Sequence, residues 1–170
     1  TGTQNALVLL INFLDSAPPP FTQEEAARLV FNGQMQNFYK DQSYNKMSWS
    51  GNAFGWLTLP RSGIVYDPII IQNYCTWPQL QDHYLVDDSA LIKEYIVSNN
   101  IDLSKYQYLV VLADHSCMGG GFSGGVQISI NEILYELRLS QIGAIQDYSK
   151  ASFWGEMPFE WTNLDYILAH

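Results

Sequence analysis

Basic side chains are scarce in this chain: eight Lys and Arg stand against 17 Asp and Glu, for a formal net charge of −9. No basic cluster interrupts the acidic field. Phosphate binding draws most of its affinity from such clusters, which excludes nucleic acid as an expected partner. Long apolar runs are missing too. The longest, Ala6 to Phe13 with Asn12 inside it, falls far below the ~20 residues of a membrane span, so none is expected. Cysteine is limited to Cys75 and Cys117, which leaves two readings open: one disulfide in an exported protein, or two thiols in a reduced one. The chain has no initiator Met and no charged region followed by an apolar signal core, and is expected to be an excised or processed piece. Internal repeats and low-complexity segments are absent, so residues 1–170 are expected to form a single domain. Aromatics, by contrast, are abundant. They reach 14% while charged residues stay at 15%, the opposite of a disordered chain. A chain of this length can bury roughly 70% of the surface its unfolded form exposes.

Ala6 to Phe13 is nearly continuous Leu, Val and Ile, which predicts a strand buried on both faces and central in its sheet. The three prolines Pro18 to Pro20 end it in a loop, because proline has no amide to give a ladder. Thr22 and Glu25 form a capping-box pattern opening a helix. Its apolar face runs on through Ala26, Leu29, Val30, Met35, Phe38 and Tyr39, with Gly33 breaking it into two segments. Lys46 to Leu59 is strand-like around a Gly51-Asn52 turn signal, which predicts a hairpin or a bent strand. Residues 61–88 read as an ordered excursion with one short strand at Ile69 to Ile71. Ser89 to Ile96 has helical spacing and stops at Asn99-Asn100. Tyr106 to Ala113 is a second buried strand, and two such strands flanking a helix predict a right-handed crossover in a partly parallel sheet. Val126 to Ile130 alternates as a half-exposed strand does. Ile133 to Leu139 fits a strand or a helix.

Several residue groups could carry chemistry. His83, His115 and His170 are the only histidines, and no spacing brings them together as a three-imidazole site. Asp114-His115-Ser116-Cys117 follows the second buried strand, where functional loops of α/β proteins commonly lie; it reads equally as a polar turn. Gly121-x-Ser123-x-Gly125 has the form of a nucleophile elbow, with Asp147 or Asp165 and His170 following in the expected order. Polar and glycine residues from Asp114 to Gly120 separate Ser123 from its strand, however, where an elbow needs a sharp strand-to-helix turn. The Trp and Tyr residues between Trp49 and Trp77 fit a sugar-binding platform or a core.

Two segments carry a family resemblance. Phe38 to Pro60 reads FYKDQSYNKMSWSGNAFGWLTLP, and Thr162 to His170 reads TNLDYILAH. The first resembles the early catalytic domain of secreted zinc metallopeptidases of the gametolysin and immune inhibitor A kind. In these a helix ending in Phe-Tyr leads to a Ser-Tyr pair, a polar strand and a Gly-Trp, matched by Phe38, Tyr39, Ser43, Tyr44, Gly55 and Trp56. The second is similar to the start of their active-site helix, with Thr162 and Asp165 as a capping box and His170 as the first histidine of His-Glu-x-x-His. That motif needs histidines at i and i+4, so that both imidazoles reach one Zn2+ from one helix face, and a Glu to polarise the metal-bound water.

The resemblance implies an α/β (α+β) fold, a mixed twisted sheet with two to three helices, forming the zincin-like N-terminal subdomain of a secreted zinc endopeptidase. It implies zinc in the intact parent with His170 as a ligand, a peptide or protein substrate, and the remainder of the catalytic domain as a partner. A rim strand of the cleft pairs with extended substrate in this family, and Gly124, Gly125 and Val126 are the residues expected to border it; a plain loop is the alternative. One ligand falls short of the three or four donors a zinc site needs, so the chain alone is expected to be inactive. Two other functions stay open: a non-catalytic secreted binding module or degenerate peptidase, and a serine hydrolase using Ser123.

Overall fold

The computed structural model describes residues 2–14, 21–60, 89–113 and 121–142. They form a mixed α/β fold: a five-stranded sheet of order β2-β1-β3-β5-β4, with helices on both faces. Strand β1 spans Gly2–Phe13 and β2 spans Met47–Leu59. Strands β3, β4 and β5 are Tyr108–Ala113, Gly121–Ile130 and Ile133–Ile142. Helices α1 and α2 are Gln23–Asn32 and Gln34–Gln42, and α3 is Ser89–Ser98, followed by a single 3-10 turn at Leu103–Lys105. Among the described residues no helix is long and apolar enough to cross a membrane.

The apolar segment Ala6 to Ile11 is completely buried, because β1 lies between β2 and β3, parallel to both. Its even residues Ala6, Val8 and Leu10 face α1 and α2, where they pack with Ala26, Val30, Phe31 and Met35. Its odd residues Leu7, Leu9, Ile11 and Phe13 face the other way, onto Ile92 and Ile96 of α3, Ile101 and Leu103. The chain steps from β1 to β2 by way of α1 and α2, then returns past β1 to β3 by way of α3. Right-handed connections in opposite directions put their helices on opposite faces.

Local chemistry fixes the ends of these elements. At the start of α1, Thr22 Oγ1 accepts from the Glu25 amide at 3.1 Å and Glu25 Oε2 accepts from the Thr22 amide at 2.7 Å, completing the capping box. Gly33 separates α1 from α2 with extended backbone at φ −90° and ψ −158°, and the position takes glycine because an added Cβ would lie 2.5 Å from the Leu29 carbonyl oxygen. Asn100, at φ 52°, takes the left-handed conformation that ends the α3 region.

Of the two expectations for this segment, residues 47–59 realise the single strand and not the hairpin at Gly51-Asn52. They form one strand parallel to β1, with a register irregularity opposite Leu10. Gly51 serves close approach instead, since a Cβ there would fall on the Ala6 carbonyl oxygen. The segment 133–142, which fits either element by sequence, is a strand. The triple proline, the excursion at 61–88 and the helix expected at 162–170 lie outside the described residues.

Candidate functional site

Of the sheet's two edge strands, β2 has the Trp49 backbone bonded by the Gln36 side chain of α2, and β4 is the other. Among the described residues it pairs only with β5, antiparallel, whereas the other four strands run parallel. Its hairpin with β5 turns through Asn131 and Glu132, both at positive φ (50° and 65°), the two-residue type I′ geometry that suits the twist of paired strands. Such a turn is closed by hydrogen bonding between its flanking residues, here Ile130 and Ile133. Hydrogen-bonded and open pairs then alternate along the ladder, so the backbone groups of Gly125, Gln127 and Ser129 point away from β5.

Gly124, Gly125 and Val126, the residues expected to border a substrate rim, therefore lie inside this edge strand and not in a loop. Val126 leans on the core beneath α3, while both glycines are exposed. A Cβ at Gly125 would meet nothing within 4 Å. Ser123 also lies within β4, which continues into a hairpin.

The sheet face that carries α1 and α2 is apolar over β2, β1 and β3, then turns polar over β5 and β4. There Gln127 Nε2 donates to Glu136 Oε1 at 2.8 Å across the ladder. Arg138, opposite Gly125, donates from Nη1 to the Tyr108 hydroxyl at 3.1 Å and sets its guanidinium carbon 5.6 Å from the centre of that ring. It makes no ion pair among the described residues. Tyr108 continues an aromatic row, with Trp49 at 4.6 Å and then Tyr39 at 5.5 Å between ring centres. Burial first, and the neighbouring Tyr108 second, push the Tyr39 hydroxyl above the usual tyrosine value. Sequence reading passed over Arg138 and Tyr108 because they are 30 residues apart; the signal was the polar phase of the alternation in Ile133 to Leu139.

The residues matching the family's first motif are structural. Phe38 and Tyr39 meet edge to face at 5.4 Å. Ser43 Oγ donates to the Lys40 carbonyl and accepts the Met47 amide at 2.9 Å, joining the end of α2 to β2. Tyr44 turns outward at φ 53° and is 86% exposed. Gly55 fits beneath Leu10, and Trp56 Nε1 donates to the Phe21 carbonyl at 3.1 Å. Trp49 and Trp56 pack in or against the core on the α1 and α2 side.

His83, His115, His170, Cys75 and Cys117 lie outside the described residues, as do the Asp114 to Cys117 loop and Trp77. Among the described residues no group of three or more His, Cys, Asp or Glu could hold a metal ion. No protein-family model and no curated protein matches the chain.

Proposed function

We propose that this chain is the N-terminal part of the catalytic domain of a secreted zinc-dependent endopeptidase, and that β4 is the strand along which an extended peptide substrate lies. The observation that carries the reading is the placement of Gly124, Gly125 and Val126 in an antiparallel edge strand, with outward backbone groups on a parallel sheet. Extended peptides add to such an edge through main-chain hydrogen bonds, which bind without regard to most side chains. The two glycines let the second backbone come close. The match of Phe38, Tyr39, Ser43, Tyr44, Gly55 and Trp56 to the family pattern supports the same reading, since Ser43 ties the end of α2 to β2 and Gly55 lets β2 pack beneath Leu10 of β1. In the intact parent, His170 with the rest of the motif would hold zinc, which would supply the Lewis acidity for peptide hydrolysis.

The test begins with the ten residues that follow His170 in the parent gene. Glu-x-x-His there supports the peptidase, and its absence favours the binding module working through the same edge. The parent protein is expected to cleave an unfolded protein substrate in a chelator-sensitive manner, with His170→Ala reducing turnover at least ~100-fold. A parent that carries the motif and cleaves no peptide would sink the reading.

A further inference from the structure

The edge of β4 is polar on one face, and its charges are ordered. Glu136 already holds Gln127, whereas Arg138, two residues on, has a single tyrosine hydroxyl as its side-chain partner among the described residues. Arg138 and Gly125 are register partners, so both belong to the face that carries α1 and α2. A strand added outside β4 places the residue opposite Gly125 on that same face, because paired residues point to one side. Gly125 itself contributes no side chain, and the space over it is open. Nothing lies within 4 Å of a Cβ built at Gly125, and Arg138 is about two strand spacings, roughly 10 Å, from the peptide residue opposite it.

We propose that Arg138 is a specificity-determining residue that selects an acidic side chain, Glu above Asp for its reach, at the peptide position opposite Gly125. The inference rests on the reading of β4 as the substrate strand. A carboxylate extending over Gly125 meets a guanidinium that, among the described residues, uses one N–H donor, in the fork geometry that suits carboxylate. The guanidinium turns from Tyr108 toward it, exchanging a neutral hydroxyl partner for a charged one, which is the stronger hydrogen bond. Two residues along, opposite Gln127 on the same face, the neighbouring Glu136 carboxylate disfavours a second acid. The site therefore asks for one acidic residue and not an acidic run, which the chain's net charge of −9 would repel.

The test is an NMR titration of the 170-residue chain with extended peptides that differ only in Glu, Gln or Lys at one position, moved along the peptide in turn. Binding at the edge protects the amides of Gly125, Gln127 and Ser129 from exchange. At one register the Glu peptide is expected to bind roughly two- to fivefold more tightly than the Lys peptide, a difference typical of an exposed ion pair and weakened by salt. Arg138→Gln should abolish the difference and Arg138→Lys should retain part of it. Protection of β4 with no charge preference, or a preference that survives in Arg138→Gln, overturns the role of Arg138 while leaving the substrate strand in place. No protection of β4 by any peptide overturns both.

Discussion

Gly51 and Gly125 both sit inside strands, yet the structure asks opposite things of them. A Cβ at Gly51 would land on the Ala6 carbonyl oxygen and press on Phe31, at a φ of 153° that suits glycine. Neither backbone can yield without breaking the β1 and β2 ladder. Gly51→Ala is expected to destabilise the protein by several kcal/mol, on the order of 3 or more, as overpacking against backbone does. Gly125→Ala should change stability by less than ~0.5 kcal/mol, because its Cβ would enter open space. Urea unfolding of the two variants checks the contrast, and equal losses would contradict this account of Gly51. By sequence, Gly51-Asn52 is a hairpin signal. A glycine required by a neighbouring strand leaves the same trace as one required by a turn, and only the position of Ala6, 45 residues away in sequence, separates the two.

At the scale of elements, the side chain of Gln36 acts as a one-residue extension of the sheet. From α2 it donates to the Trp49 carbonyl at 3.2 Å and accepts the Trp49 amide at 2.7 Å. A carboxamide presents one acceptor and two donors, so it can satisfy both backbone groups of a strand residue. Gln36→Leu, which keeps the approximate volume, should cost about 1–3 kcal/mol for the two groups left unpaired. It should also speed exchange of the Trp49 amide, measurable by NMR; unchanged protection would mean that other groups guard this edge. Elements built on short-range chemistry were open to sequence reading: the Thr22 and Glu25 box, the Gly33 break, and the stop at Asn99-Asn100. The Gln36 contact was not, since nothing in a helical glutamine announces a strand as its partner. The extent of β4 was missed for a related reason: glycines disfavour strands by propensity, and pairing with β5 overrode it.

On the scale of the whole molecule, the mixed sheet with an interior β1 followed from two buried strands flanking a helix, although β3 and not β1 takes the central place. The order of the outer strands did not, because edge positions depend on contacts far apart in sequence. The assembled sheet also sets how the protein responds to alkali. Tyr39, Tyr95 and Tyr106 all have hydroxyls pushed above the ordinary tyrosine value of 10.0, burial being the largest cause for each. Tyr108 adds to the rise at Tyr39 and the Asp102 charge at Tyr106, while a Gly55 backbone hydrogen bond opposes it at Tyr95. The fold thus favours the neutral phenol. Below the unfolded value both states are protonated and this contribution is whole; as pH rises past it, the unfolded chain ionises first and stability falls. The urea midpoint should therefore drop between about pH 9 and pH 11, and Tyr39→Phe should lessen the drop. A midpoint that rises across that interval would contradict the direction assigned to these groups.

The position of β1 has a further consequence for how the protein comes into being. Its residue Leu7 pairs with Asn52 on one side and Leu109 on the other, so β1 gains its second neighbour only after a long stretch of further chain has been made. At ~5–20 residues per second the ribosome takes roughly 5–20 s to deliver β3 after β1. Even after β2 has paired, the side of β1 that will receive β3 stays open to foreign strands until that interval ends.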